Sequence, residues 1–342
     1  MIQKLTIHQY YQQLKRLPVI DVRSPGEHRK GHIPGAVNIP LFSDAERARV
    51  GTVYVQQSRE KAIELGYQLV TPKLDQFIAQ SEEVAPAREL VVHCWRGGMR
   101  SASFAQHLAD NGFRKVYVLE GGYKAYRNYV LDFFAQPFRL RIIGGYTGSG
   151  KTHLLNALKT RGLQVVDLEG LACHKGSAFG GIDQPEQPTI EQFENNLQEE
   201  FRRLDLGRPI WLEDESHNIG GVKIPLNLFN QMRNQTVYFL DIPQPKRIDH
   251  LVAEYGNCPP QHLAASIERI SKRLGGLAAT EAMQFLEEGN YREVAQRTLH
   301  YYDKSYRKGI SFRDPAKVVY LPLDDTNPAK NAESLLTYFS HE

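Results

Sequence analysis

The chain has 342 residues, of which 41% are hydrophobic and 24% charged, and a formal net charge of +3. These are ordinary globular proportions, and the length suits about two domains with ample core, needing no disulfide or metal staple. Three cysteines, Cys94, Cys173 and Cys258, with no C-x-x-C pair, argue against a disulfide framework and a cysteine-rich zinc site.

The N-terminus, Met1-Ile2-Gln3-Lys4-Leu5, lacks the apolar stretch of a secretory signal, and no apolar run is long enough for a membrane span. The expected location is the cytoplasm. Residues 1–135 carry 18 Lys and Arg against 13 Asp and Glu, a balance of +5, and residues 136–342 carry −2. Neither half announces a polyanionic partner by bulk charge.

The elements alternate along the chain. Val19-Ile20-Asp21-Val22, Leu90-Val91-Val92-His93 and Val116-Tyr117-Val118-Leu119 read as short buried strands. Between the last two, Phe104, Ala105, Leu108 and Ala109 mark a helix over Ser101–Asp110, stopped by Asn111-Gly112. An aromatic-rich helix over Tyr123–Phe134 ends at Ala135-Gln136-Pro137, where proline disfavours helix in the residue before it. The boundary predicted there gives domains at 1–135 and 136–342.

The second half starts again with a strand, Leu140-Arg141-Ile142-Ile143, then a glycine loop and a helix over 151–161. Val165-Val166-Asp167-Leu168 reads as a strand, Ile190–Leu204 as a helix, and Pro209-Ile210-Trp211-Leu212 and Val237–Asp241 as strands. The pattern is helical from about 245 to 308, with a late strand at Val318-Val319-Tyr320-Leu321. The fold class is therefore α/β twice over, with mainly parallel sheets and a helical C-terminal part.

Two loops carry chemistry. In His93-Cys94-Trp95-Arg96-Gly97-Gly98-Met99-Arg100-Ser101 a cysteine follows a strand and precedes a helix. The loop's N–H groups, the helix N-terminus and two arginines all favour a thiolate at Cys94. Arg96, Gly97, Gly98 and Arg100 would hold an oxyanion beside the sulfur. Asp21-Val22-Arg23-Ser24-Pro25-Gly26-Glu27-His28, Gly31-His32-Ile33-Pro34-Gly35 and Leu119-Glu120-Gly121-Gly122-Tyr123 frame that loop. Together they resemble the rhodanese family, which implies a doubly wound domain and a chalcogen adduct on Cys94. No catalytic role is assigned to the histidines of these motifs. Cys94 to Arg100 spans C-x5-R, one residue longer than in many sulfur-transferring rhodaneses. It matches the loop of cysteine phosphatases, so either a phosphorus-bearing donor or a phosphatase fits.

The second loop, Gly145-Tyr146-Thr147-Gly148-Ser149-Gly150-Lys151-Thr152, fits G-x4-G-K-[ST] between a strand and a helix. Gly145, Thr147, Gly148, Ser149, Gly150, Lys151 and Thr152 are the expected diphosphate cradle, and the Thr152 hydroxyl could ligate Mg²⁺. The pattern calls for a phosphate chain without specifying ATP. Trp211-Leu212-Glu213-Asp214-Glu215 resembles a Walker B strand end, with Glu213 and Asp214 as candidates to assist a metal or accept a proton. The Gly/Ser-bearing segment Cys173–Gly181 either covers a ligand or simply connects elements.

Residues 291–313 interleave Arg292, Arg297, Lys304, Arg307, Lys308 and Arg313 with Tyr291, Tyr301, Tyr302 and Tyr306. Such residues can hold phosphates and stack on unpaired bases. A solvated helix with its tyrosines packed inward accounts for the pattern slightly better.

HCWRGGMRS, GGYTGSGKT and WLEDES, in this order, resemble the bacterial tRNA 2-selenouridine synthase family over essentially the whole chain. The resemblance implies a transferase acting on the wobble 2-thiouridine of tRNAs for lysine, glutamate and glutamine. The base sulfur would be geranylated from geranyl diphosphate, and S-geranyl then replaced by selenium from selenophosphate. It implies no tightly bound cofactor. The enzyme that makes selenophosphate is a candidate partner. Two other readings stay open: an ATP-dependent RNA sulfurtransferase, and a rhodanese-like cysteine phosphatase fused to a P-loop domain.

Overall fold

Five short strands, all paired in parallel, build the sheet of the first unit: β1 (Ile2–Leu5), β2 (Val19–Asp21), β3 (Val37–Asn38), β4 (Glu89–His93) and β5 (Lys115–Leu119), in the order β1-β5-β4-β2-β3. The central strands β2, β4 and β5 are largely buried and carry apolar runs, whereas the edge strands β1 and β3 are mostly exposed. Ile20, Leu90 and Val92 are fully buried, with Phe104 and Leu108 of the helix Met99–Asp110 packed against them. In this computed structural model residues 1–340 are described, and the chain divides into two units, Met1–Phe133 and Phe134–Glu342.

Three helices of the first unit, Asp44–Gln56, Arg59–Val70 and Leu74–Val84, escape a reading based on apolar periodicity. The first has no buried residue at all, so it leaves no apolar stripe to find. Its start is nevertheless written locally: Ser43 accepts from Glu46 N–H while Glu46 reaches back to Ser43 N–H, a capping box. Ser24 and Glu27 make the same box at Pro25–Lys30.

The second unit holds a parallel sheet of β6 (Leu140–Gly145), β7 (Gln164–Val165), β8 (Ile210–Glu213), β11 (Val237–Asp241) and β12 (Val318–Pro322), ordered β12-β11-β6-β8-β7. A small antiparallel pair, β9 (Asn218–Ile219) and β10 (Val222–Lys223), lies outside it. The strand expected over 165–168 ends after Val165. Asp167 instead caps a short helix, Leu168–Ala172, its carboxylate accepting from Gly170 N–H at 2.7 Å. An Asp that can satisfy free helix N–H groups ends the extended run. Between β11 and β12 the chain forms the helices Gln244–Tyr255, Pro260–Leu274, Gly276–Glu287 and Tyr291–Ile310, the last three of which share a core of Leu263, Ile267, Ala282, Leu286 and Val294.

Candidate functional site

In the first unit, β4 delivers Cys94 at its end, and the loop through Gly98 leads into the helix Met99–Asp110. Cys94 is buried, its Sγ 3.3 Å from Ser101 Oγ, which in turn lies within hydrogen-bond distance of the Gly98 carbonyl at 3.1 Å. The loop is clamped from the Gly121-Gly122 turn. Tyr123 N–H donates to Cys94 O at 2.8 Å and Lys124 N–H to Trp95 O at 2.9 Å. Gly122, at φ +56°, comes so close that a Cβ there would sit 2.2 Å from Cys94 O. Only glycine fits.

A buried cluster supports this loop from below. Arg23 pairs with Asp21 at 2.6 Å and stacks over the Tyr123 ring at 3.7 Å. Burial opposes the charge on Asp21, but His93, His28 and Arg23 outweigh it and hold the carboxyl well below its usual range. Burial pushes the His93 imidazole down to about 4, so at neutral pH it is uncharged. His28 Nδ1 lies 3.1 Å from Asp21 Oδ2, and its ring stacks on His32.

The two arginines of the loop are placed differently. Arg96 is exposed. Arg100 instead donates to Glu27 Oε2 at 2.8 Å. Burial favours the neutral Glu27 carboxyl, but the Arg100 bond and charge prevail and lower its pKa.

In the second unit, β6 runs into the phosphate loop and the helix Lys151–Thr160. Gly148 and Gly150 take φ of +80° and +72°, the left-handed region that lets the backbone curl round an anion. The Ser149 hydroxyl is buried with no hydrogen-bond partner among the described residues, a donor that a bound phosphate would satisfy. Lys151 Nζ rests on Gly145 O at 3.1 Å. Arg247, buried and paired with Asp303, donates to Thr147 O at 3.0 Å and fixes the loop from behind.

The acids differ from expectation. Asp214 is committed: it accepts from Tyr306 Oη at 3.0 Å and forms a buried pair with Arg313. Glu213 is wholly buried and accepts from Glu169 N–H at 2.7 Å. Burial, then Asp167 and Glu169, push its carboxyl pKa well up. Glu215 is raised as well, by burial and then by the Glu169 charge. The Thr152 hydroxyl donates to Glu169 at 2.8 Å instead of facing open space. Among the described residues no three His, Cys, Asp or Glu side chains are grouped to hold a metal ion. With Asp214 held by Arg313 and Glu213 favouring its neutral form, the strand-end acids do not fit a preformed Mg²⁺ site. Glu169 is the site residue that motif reading misses, because it lies in the helix Leu168–Ala172 and only the fold brings it to Thr152; Glu215, the last acid of the Walker B-like run, lies beside Glu169 and Lys151.

The basic helix Tyr291–Ile310 divides by face. Tyr306 is held in the phosphate site, accepting from Gly145 N–H at 3.2 Å. The Tyr302 hydroxyl accepts from Ala178 N–H at 3.1 Å. Arg313 is internal, Arg292 pairs with Asp249 and Arg297 with Glu281. Tyr302, Tyr306 and Arg313 are therefore structural groups of the second unit, whereas Lys304, Arg307 and Lys308 are exposed.

A cavity of about 560 Å³ opens from the phosphate loop, lined at one end by Lys151, Thr152, Glu169 and Glu215.

The comparisons with known proteins agree with this two-unit layout. A family model described as tRNA 2-selenouridine synthase AAA domain matches residues 138–318, and one described as a rhodanese-like domain matches residues 6–129. The chain is similar to a tRNA 2-selenouridine synthase of Bdellovibrio bacteriovorus, at 36% identity over 87% of this chain and 90% of that protein. It is 33% identical to the Sulfurovum protein of the same name, over 94% and 92% of the two chains. The Nitrosomonas europaea protein of that name is 38% identical over 77% of this chain and 69% of its own length. Similarity of this extent, spanning both loops, means that the chain belongs to the tRNA 2-selenouridine synthase family.

Proposed function

We propose that this protein is an enzyme that converts the wobble 2-thiouridine of tRNAs for lysine, glutamate and glutamine into 2-selenouridine, in two steps divided between its two loops. What supports the reading is that both loops are intact in a chain that matches tRNA 2-selenouridine synthases over most of its length.

In the first step geranyl diphosphate alkylates the base sulfur. The allylic C–O bond breaks, pyrophosphate leaves, a C–S bond forms and the base gives up its N3 proton. The leaving group is a dianion or trianion, which the N–H groups of Gly148–Lys151, the unpartnered Ser149 hydroxyl and the Lys151 ammonium suit.

In the second step the Cys94 thiolate attacks phosphorus of selenophosphate. The Se–P bond breaks, selenium leaves as hydrogen selenide with the bonding pair, and an S–P bond forms that water then hydrolyses, releasing phosphate and restoring the thiol. The selenide adds at C2 and displaces geranylthiolate, leaving 2-selenouridine. Alkylation makes this possible: it turns a thiocarbonyl into a neutral thioether that leaves as a thiolate. Arg96 is free to meet the phosphoryl oxygens, and Arg100 joins it by exchanging Glu27 for the anion. Lys304, Arg307 and Lys308 offer exposed charge for the RNA backbone. A transient association with the selenophosphate-producing enzyme would deliver an unstable donor directly.

The test uses an anticodon stem-loop RNA carrying 2-thiouridine, geranyl diphosphate and selenophosphate, read by mass analysis of nucleosides. Cys94→Ser should accumulate S-geranyl-2-thiouridine and form no 2-selenouridine. Lys151→Ala should leave 2-thiouridine unmodified. Selenium entry at the wild-type rate in Cys94→Ser would sink the role of Cys94 in releasing selenium, and ATP-dependent sulfur chemistry without geranyl diphosphate would favour the sulfurtransferase reading.

A further inference from the structure

The cavity that starts at the phosphate loop continues well past it, and its far part differs in chemistry from its near part. Its volume of about 560 Å³ lies within the ~300–1,000 Å³ of small-molecule sites. The helix Tyr291–Ile310 lines it with residues three and four apart, among them Val294, Ala295, Leu299 and Tyr306. Tyr306 touches the phosphate loop at Gly145. Val294, twelve residues earlier, is displaced along the helix axis by roughly 18 Å at the α-helical rise. The facing wall is Leu251, Val252 and Tyr255 of the helix Gln244–Tyr255, with Leu263 and Phe179.

The cavity lining also includes Lys175 and Glu254, which pair with each other at 2.6 Å, and the hydroxyls of this wall have partners within the protein. The Thr298 hydroxyl donates to the carbonyls of Val294 and Ala295 in its own helix, at 2.9 and 3.1 Å. The Tyr302 hydroxyl accepts from Ala178 N–H, and Ser177 Oγ accepts from Phe179 N–H at 3.2 Å. A nucleobase buried here would lose its water hydrogen bonds and find few replacements. A branched hydrocarbon would lose nothing.

We propose that this lobe is the binding site for the hydrocarbon tail of a prenyl diphosphate whose diphosphate sits on residues 145–152, and that Ala295 and Leu263 limit the tail it accepts. The proposal rests on the reading of the phosphate loop as a diphosphate cradle, and extends it by assigning the rest of the cavity to the tail instead of a nucleoside. Ala295 is a small residue set among Leu251, Val294 and Leu299, so a bulkier side chain there takes the room of the tail without touching the phosphate loop.

The experiment measures binding of inorganic pyrophosphate, geranyl diphosphate and ATP to the full chain by calorimetry, for the wild type, Ala295→Phe and Leu263→Phe, with circular dichroism to confirm folding. The wild type should bind geranyl diphosphate at least roughly tenfold more tightly than pyrophosphate, the worth of burying only about two methylene groups. Each variant should keep its pyrophosphate affinity and lose most of that gain. Should Ala295→Phe fail to fold, Leu263→Phe carries the test. Geranyl diphosphate binding no tighter than pyrophosphate in the wild type, folded variants that keep the gain, or ATP losing affinity in the same variants while geranyl diphosphate does not, each overturn the tail site. The cradle fails separately, if neither pyrophosphate nor geranyl diphosphate binds or if Lys151→Ala binds both as the wild type does.

Discussion

Tyr306 and Asp214 are 92 positions apart in the chain and joined by a 3.0 Å hydrogen bond, while the same Tyr306 hydroxyl accepts from Gly145 N–H at the start of the phosphate loop. One phenol thus ties the loop, the strand-end acid and the long C-terminal helix together. Replacing it with Phe leaves a backbone donor and a buried carboxylate each short of a partner. Tyr306→Phe should cost about 1–3 kcal/mol, measured by urea unfolding, and should weaken pyrophosphate binding. An unchanged unfolding midpoint would mean that the hydroxyl is dispensable.

Asp214 depends still more on Arg313, whose side chain is 1% exposed. Removing the cation strands a buried charge, with Arg233 no nearer than 3.7 Å. Arg313→Leu should therefore destabilise the chain by about 3–5 kcal/mol, and the double variant Arg313→Leu/Asp214→Leu should recover part of that loss. If the single variant melts like the wild type, the pair is not what holds this corner.

Glu213 gives a pH prediction with a definite sign. Its pKa is raised in the fold, so between the ordinary carboxylate value and the folded value the native state holds a proton that the unfolded chain has released. Stability from this group is fully present below the ordinary value and declines as pH rises toward the folded one. Glu213→Gln keeps the acceptor for Glu169 N–H but has no proton to lose. It should gain stability relative to the wild type between pH 5 and pH 8, and chemical denaturation at both pH values checks this. A constant difference would show that Glu213 ionises normally.

In the first unit the close approach of Gly122 to the cysteine loop predicts a selective defect. Gly122→Ala places a methyl against Cys94 O and Gly97 N at a positive φ. The loop must move, so selenium transfer should fall steeply while geranylation of the same RNA continues. Parallel loss of both activities would point to global unfolding instead.

Glu27 predicts the opposite direction. Because it holds Arg100, Glu27→Gln should free the guanidinium and raise the affinity of the Cys94 loop for phosphate, read as stronger protection of Cys94 from alkylation. The effect should be largest near neutral pH, where Glu27 is ionised in the wild type, and should shrink as pH falls through the depressed pKa of its carboxyl. Protection equal to the wild type would mean that Arg100 does not reach the anion.

The amino-acid sequence by itself determined the central parallel strands, though not the edge strands β1 and β3, together with both loops and the order of the two units. Buried strands are apolar runs, and an anion-binding turn needs glycines and a lysine at fixed offsets, so both are properties of neighbouring residues. It also placed β11 and the helix following Cys94 to within about two residues, as expected where a strong periodicity or a glycine stop is present. Helix Asp44–Gln56 stayed hidden because it has no fully buried residue and only Val50 packs partly against the core, its clear mark being a capping box. Tertiary structure alone decided which charges are available. Arg100 is committed to Glu27, Asp214 to Arg313, and Tyr306 to the phosphate loop, because pairing depends on which side chains the fold brings together across 73 to 161 positions of chain. The same is true of the cavity: its charged end is written in one motif, but its apolar walls come from separate helices and exist only once those helices pack.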